Sequence, residues 1–337
     1  MIIALFGSVE SGIIYAIMAL GVYLSFRILD FPDLTVDGSF VTGASVAAIM
    51  IVNGSNPFLA TGVALVVGFI AGCMTGILHT KGKINPLLSG ILMMIALYSI
   101  NLRIMGRSNI PLLNDVTLFT HLSTFWQSIG LENVLNGIAS SIGLGNDLPK
   151  TWSILFFMFI VTFIIKVLTD LFLRTEIGLA LRATGDNKRM IRSFSANTDS
   201  LTILGLGLSN ALVALAGALI AQYGGFADVG MGIGMIIIGL ASVIIGEALF
   251  GTKSIARTTL AVIGGAIIYR IVITLALRVE GLDAGDMKLI TAIIVIFALV
   301  APKVVHEQKE KRRRIRKRAE RFDIKASSKE GTQNVTS

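Results

Sequence analysis

Several stretches of the chain carry spacings that chemistry uses, and each fails on inspection. GEALFGTKS (Gly246 to Ser254) nearly spells a phosphate-cradling loop. That motif needs lysine directly after the second glycine, and here Thr252 stands before Lys253. GMGIGM (Gly230 to Met235) has the alternating glycines of a dinucleotide loop but lacks the third glycine and a strand–helix–strand setting. It reads as a Gly-rich helix start. His79, His121 and His306 are too far apart to match metal-ligand spacings, and a lone Cys73 excludes a disulfide framework or a cysteine zinc site. The intramembrane protease signatures GxSG, GxGD and HExxH are absent. We therefore expect no catalytic residue, no metal and no nucleotide site in this chain.

What remains is polar chemistry inside apolar runs, where an ionisable group is costly and a functional candidate by default. Asp37 and Ser39, with Thr42 and Ser45, form a polar seam along one Gly-rich run. Asn210 lies among small residues, and Asp228 follows Gln222 in a Gly-rich turn. Asp37, Ser39, Asn210 and Asp228 are the candidates for lining a path. Asp33, Asn85, Asn101, Arg103, Glu247 and Arg270 are further intramembrane or interfacial polar groups. Capping, snorkelling or an inter-helix hydrogen bond is the plain alternative for each. Arg270 is the deepest cation and should have a partner or water.

These residues need a membrane scaffold to hold them. Charged residues are 15% of the 337, against about 25% in soluble domains, and mean hydropathy is +0.79. A bilayer core asks for about 20 apolar residues per helix. Nine stretches qualify: 9–29, 34–53, 57–79, 84–105, 152–173, 201–223, 230–250, 257–277 and 287–302. The expected fold is an all-α polytopic membrane protein of about nine transmembrane helices. The second and seventh are Gly-rich and open to being broken or re-entrant. Gly68, Gly72 and Gly76 put a small-residue stripe on the third, suited to close helix packing.

Orientation follows from basic residues in the connections. Residues 303–337 hold 12 Lys/Arg against five Asp/Glu, a net +7 that directly follows an apolar run. This reads as a cytoplasmic flank, partly disordered, rather than a nucleic-acid arm. With that tail inside, ten other Lys/Arg also fall inside and five outside, which gives N-out and C-in. The N-terminus lacks a signal peptide's basic region, so the first run reads as a retained span. Residues 1–302 then form the membrane domain, with an outer loop at 106–150 and an inner one at 174–200.

The inner loop is the most informative connection. Glu176 to Thr184 suits a short helix, Gly185 breaks it, and Asp186 is placed to cap a second. Met190, Ile191 and Phe194 then make a narrow apolar face beside Lys188, Arg189 and Arg192. Such a helix suits a groove on a partner, and equally suits an anionic lipid surface.

The run from Gly178 through Arg182, Ala183 and Asp186 to Asn197, Thr198 and Asp199 resembles the cytoplasmic loop of ATP-binding-cassette (ABC) importer permeases, nearest the branched-chain amino acid and ribose permease superfamily. Leu204 to Gly251 and Ile28 to Ala48 resemble the same group's spans. Where many members carry an Asn motif, this chain has Asp33, Thr35, Asp37 and Gly38, similar to a subgroup linked to tryptophan- or tyrosine-type binding lipoproteins. The resemblance implies a multi-pass permease in the bacterial plasma membrane that imports a small solute, most fittingly an amino acid, with the aromatic ones among the candidates. It implies pairing with a second copy, a cytosolic ABC ATPase that binds the ATP and Mg, and an extracytoplasmic substrate-binding protein. It also makes Gly178, Arg182, Gly185, Asp186, Met190, Ile191 and Phe194 the ATPase-coupling residues. The rival reading is an ion-coupled secondary transporter, which needs a midplane carboxylate.

Overall fold

The computed structural model describes residues 2–130, 132, 136–137, 151–194, 196–277, 289–294, 296 and 300. The tail at 303–337 and most of the expected ninth span lie outside these residues. The chain divides into two compact units, 1–291 and 292–337; the architecture below is that of the first.

Backbone polar groups in hydrocarbon must be satisfied within the segment, so the apolar runs fold as helices. They are α1 (Ile2–Val22), continued by a π-helical stretch Tyr23–Ile28, then α2 (Thr35–Val52), α3 (Pro57–Thr80) and α4 (Pro86–Met105). A short strand β1 (Asn109–Pro111) and the amphipathic α5 (Leu118–Ile129) follow. After the 131–150 region come α6 (Ser153–Arg174), α7 (Glu176–Asp186), α8 (Lys188–Ser193) and α9 (Thr198–Gly224). Strand β2 (Phe226–Asp228), α10 (Met235–Phe250) and α11 (Ile255–Ala276) complete the unit. Among the described residues, seven helices are long and apolar enough to cross a membrane; α10, with 16 residues, is apolar but shorter. Asn85 caps α4 by accepting from the Leu87 amide, with Pro86 at the first helical position.

The helices alternate in direction, so their ends gather in two groups. One is the sheet end, where β1 and β2 pair antiparallel with Asn109 opposite Asp228. There the Leu118 amide donates to Gln222 Oε1 at 2.9 Å. The opposite end carries α7 and α8. There Gly185 abuts the Ile28 carbonyl, and Phe31 meets the His79 ring edge-on at 5.1 Å.

The centre is α9, packed on α3 and α2. A side chain at Gly72 would strike the Leu206 carbonyl, and one at Gly217 the Phe40 carbonyl. Gly68, Gly72 and Gly76 all face α9, so the stripe read from the sequence is the seam of this contact.

Two helices do not run the full depth. Phe40, in the second turn of α2, stacks on Tyr15 at 6.1 Å, midway along the α1 span. Gly38 lies against Met94 and Leu97, near the middle of α4. Helix α2 thus starts near mid-depth and runs to the sheet end. From β2 the chain turns back inward, bringing Gly232 against the Asp37 carbonyl and Val41. Helix α10 starts there and runs to the other end, where Glu247 meets Arg27.

Candidate functional site

Two helix N-termini therefore meet at mid-depth, and one carboxylate joins them. Asp37 sits in the first turn of α2, where a negative charge suits the helix dipole. Its Oδ2 accepts from the Gly234 amide at 3.0 Å and its Oδ1 from the Ile236 amide at 2.8 Å. These are orphan donors at the start of α10, which any helix leaves unsatisfied. Gly234 takes φ +90°, a left-handed conformation that a side chain would strain.

Beside this joint lies a groove of about 330 Å³. Asp37 and Val41 of α2, Met94, Ile95, Tyr98 and Asn101 of α4, and Ile233 of the inward turn are among its walls. The lining is apolar apart from Asp37, Asn101 and the Tyr98 hydroxyl. Asn101 is fully buried and its Nδ2 donates to the Gly38 carbonyl at 3.2 Å, tying α4 to α2. No described residue donates to its Oδ1.

Of the four path candidates, the structure places only Asp37 on the groove. Ser39 is fully buried within α2's packing, its Oγ without a partner among the described residues. Asn210, also fully buried, donates to Asp33 Oδ2 at 2.6 Å, and Asp33 Oδ1 accepts from the Thr35 amide at 2.9 Å. Asn210 therefore ties α9 to the turn before α2. Asp228 belongs to the sheet end and accepts from the Gly230 amide at 2.7 Å, fixing the turn that leads inward. Arg270 finds neutral partners: Ser11 Oγ at 3.1 Å and the Tyr15 ring, 4.7 Å from its guanidinium carbon.

The 174–200 connection differs from its sequence reading in two places. Helix α7 runs through Gly185, so this glycine does not break it; it allows close approach to the Ile28 carbonyl. Asn187, rather than Asp186, caps α8, accepting from the Met190 amide at 3.1 Å. Asn187 has the extended φ of −156° that a cap position needs, whereas Asp186 stays helical as the last residue of α7. Gly178 is buried against Phe172 and Leu173, and Arg182 shares a polar pocket with Tyr23, Glu247 and Lys253. The apolar trio divides. Ile191 is 8% exposed, while Met190 is 46% and Phe194 74% exposed. Arg192 is engaged with Asp199 at 3.2 Å and Thr198 at 3.0 Å. Burial, and then the Arg192 charge, pulls the Lys188 ammonium below its usual range.

Sequence reasoning missed a buried cluster between α6 and α11. Lys166 Nζ pairs with Asp170 Oδ2 at 2.6 Å, and Thr259 donates to Asp170 Oδ1 at 2.7 Å. The four-residue spacing of opposite charges inside an apolar run was the available signal. Glu10 was missed too; its Oε2 accepts from the Tyr223 hydroxyl at 3.1 Å.

Comparison with known proteins places this arrangement. Residues 4–300 match the family described as branched-chain amino acid transport system / permease component. A tyrosine transport system permease protein of Clostridioides difficile is 47% identical over 284 residues, covering 84% of this chain and 86% of that one. An uncharacterized protein of Rickettsia prowazekii is 34% identical over 88% of this chain and 96% of its own length. The fructose import permease protein FruF of Bifidobacterium longum is 27% identical over 81% of this chain and 70% of its own. No solved structure matches significantly. With its apolar helices and a family match over nearly the whole chain, this is a multi-pass protein of the cell membrane, an ABC-type permease, and it belongs to the branched-chain amino acid transport permease family.

Proposed function

We propose that this chain is the membrane subunit of an ATP-driven importer for an amino acid, aromatic in type. The observation that carries this reading is the joint at Asp37. Discontinuous helices with facing ends at mid-depth are the usual setting for a solute site whose access switches from one side to the other. The aromatic assignment leans on the 47% relative that is named for tyrosine transport; the fructose permease, at 27%, is more distant.

In this proposal the end carrying α7 and α8 faces the cytoplasm. The basic residues Arg27, Lys81, Lys83, Arg174, Arg182, Lys188, Arg189, Arg192, Lys253 and Arg257 fall at that end, which supports N-out and C-in. A homodimer of the chain would flank the path. A separate cytosolic ATPase would hold ATP and Mg, and an extracytoplasmic binding protein would deliver the solute. The exposed side chains of α8 favour a groove on the ATPase over a lipid surface. Met190 and Phe194 project outward, while Arg192 is engaged with Asp199 and Thr198 and Lys188 is half-buried.

Burying a side chain such as Phe194 is worth roughly 1.5–3 kcal/mol, a tenfold or larger change in affinity. Phe194→Asp should therefore release the co-purifying ATPase, or uncouple its hydrolysis from uptake, at unchanged membrane levels of the permease. Lys188→Ala and Arg189→Ala should act weakly. Full ATPase retention and coupling in Phe194→Asp would remove the docking role. An ion-coupled carrier remains the rival, because Asp37 is a mid-depth carboxylate on a broken helix. Uptake that follows an ion gradient and persists without any ATPase would establish that rival.

A further inference from the structure

The groove beside Asp37 holds a feature that packing does not explain. Buried polar atoms nearly always find a hydrogen-bond partner, and an orphan calls for a physical reason. Asn101 is fully buried and lines the groove, yet its Oδ1 accepts from no described residue. Its own Nδ2 is committed to the Gly38 carbonyl, which fixes the amide plane. Around it stand Val41, Met94, Ile95, Tyr98 and Ile233, a wall suited to a flat apolar body. A neutral acceptor in an apolar recess fits a neutral donor, since an ammonium would lose its hydration there without a counter-charge. The charged partner in the groove is Asp37, half-buried at its edge, whose oxygens accept two amides and keep spare lone pairs.

We propose that this groove is a solute site within the permease itself, taking an aromatic amino acid whose ring carries a hydrogen-bond donor, with Asn101 accepting from that ring donor and Asp37 facing the ammonium. The proposal rests on the importer reading and adds a claim about selectivity. The site would choose among solutes after the binding protein has released them. A phenol would satisfy Asn101 Oδ1, whereas a plain phenyl ring would leave it unpaired. A site built around a polar partner rejects an analogue that lacks it more strongly than an apolar pocket rejects a changed methylene.

The test is uptake of labelled L-tyrosine and L-phenylalanine by cells carrying the full chain with its partner subunits. Asn101→Leu should lower the tyrosine-to-phenylalanine uptake ratio at least tenfold. An unchanged ratio, whether both rates hold or both fall together, would overturn the proposal and leave Asn101 a packing residue. Ile233 is 61% exposed, so Ile233→Trp should narrow the groove without disturbing the core. It should reduce uptake of both amino acids at least tenfold at wild-type membrane levels. Wild-type uptake in Ile233→Trp would overturn the site even where Asn101→Leu fails to accumulate. A wild-type transporter that carries neither amino acid would instead refute the aromatic importer reading, and the subsite with it.

Discussion

The α3–α9 seam and the α2–α10 joint are both central, and they are held by opposite means. The seam is a row of glycines pressed on α9, with Gly72 against the Leu206 carbonyl as its closest point. Its glycines leave no room and offer no partner to exchange; at its sheet end Gln222 Nε2 donates to Thr61 Oγ1 at 2.9 Å. The joint is one carboxylate holding two amides across a gap, with an open groove at its side. Hydrogen bonds to a carboxylate can be broken and remade, with water replacing the lost partner beside a groove. Close-packed glycine contacts have no such substitute. The contrast assigns the seam to the scaffold and the joint to movement.

The largest expected effect comes from attacking the seam. Gly72→Leu drives a side chain into the Leu206 backbone, which cannot rotate away. Overpacking costs typically 1–3 kcal/mol even where neighbours can yield, and more where backbone is struck. The variant should fail to accumulate in the membrane, measured by quantifying the chain in purified membranes. Normal accumulation would mean that the helices separate easily and that the seam is not the rigid element.

Attacking the joint should spare the fold and stop the function. Asp37→Ala leaves two amides at the head of α10 without their acceptor. Hydrogen bonds to charged groups contribute roughly 1.5–3 kcal/mol each, reduced here because water in the groove can replace the carboxylate. Membrane levels should fall less than twofold, while uptake should fall at least tenfold. Asp37→Asn keeps one acceptor oxygen and should lie between. Uptake at the wild-type level in Asp37→Ala would make the joint ordinary capping.

The two regions were unequally legible in the sequence. The seam announced itself, because glycines four apart lie on one face of any helix. The possibility of broken second and seventh spans was also readable, from glycine content. The partner of Asp37 was not, because Gly234 and Ile236 lie nearly 200 positions away and contribute only backbone amides. Of the groove wall on α4, Asn101 stood out as a polar group in an apolar run, but Met94, Ile95 and Tyr98 look the same facing lipid or facing a cavity. Asn210 drew attention for the right property, burial among small residues, yet its partner Asp33 makes it a tie between α9 and the turn before α2. In the 174–200 connection the helix–cap–helix pattern was visible. The cap fell one residue late because Asp186 and Asn187 are both good caps, and only the backbone path decides between them.

The smallest effect is expected at the other end of α10, and it sharpens where the helix is held. Arg27 Nε donates to Glu247 Oε1 at 3.0 Å, joining the end of the α1 span to the last turns of α10. This pair is distant from the groove, and the Arg27 side chain is 59% exposed against 18% for Glu247. Exposed ion pairs contribute about 0–1 kcal/mol, because water screens the charges and two long side chains must be ordered. Glu247 also sits at a helix C-terminus, where a negative charge opposes the dipole, so removing it returns part of what the pair contributes. Glu247→Gln should therefore change thermal stability in detergent by only a degree or two and leave uptake within twofold of wild type. Any difference should shrink further as salt rises, since screening already weakens the wild-type pair. If α10 moves during transport, this asymmetry makes Asp37 the contact whose breaking and remaking matters and the Arg27–Glu247 pair a dispensable one. A tenfold loss of uptake in Glu247→Gln, with Asp37→Ala near wild type, would reverse that assignment and make the Arg27 contact the functional latch.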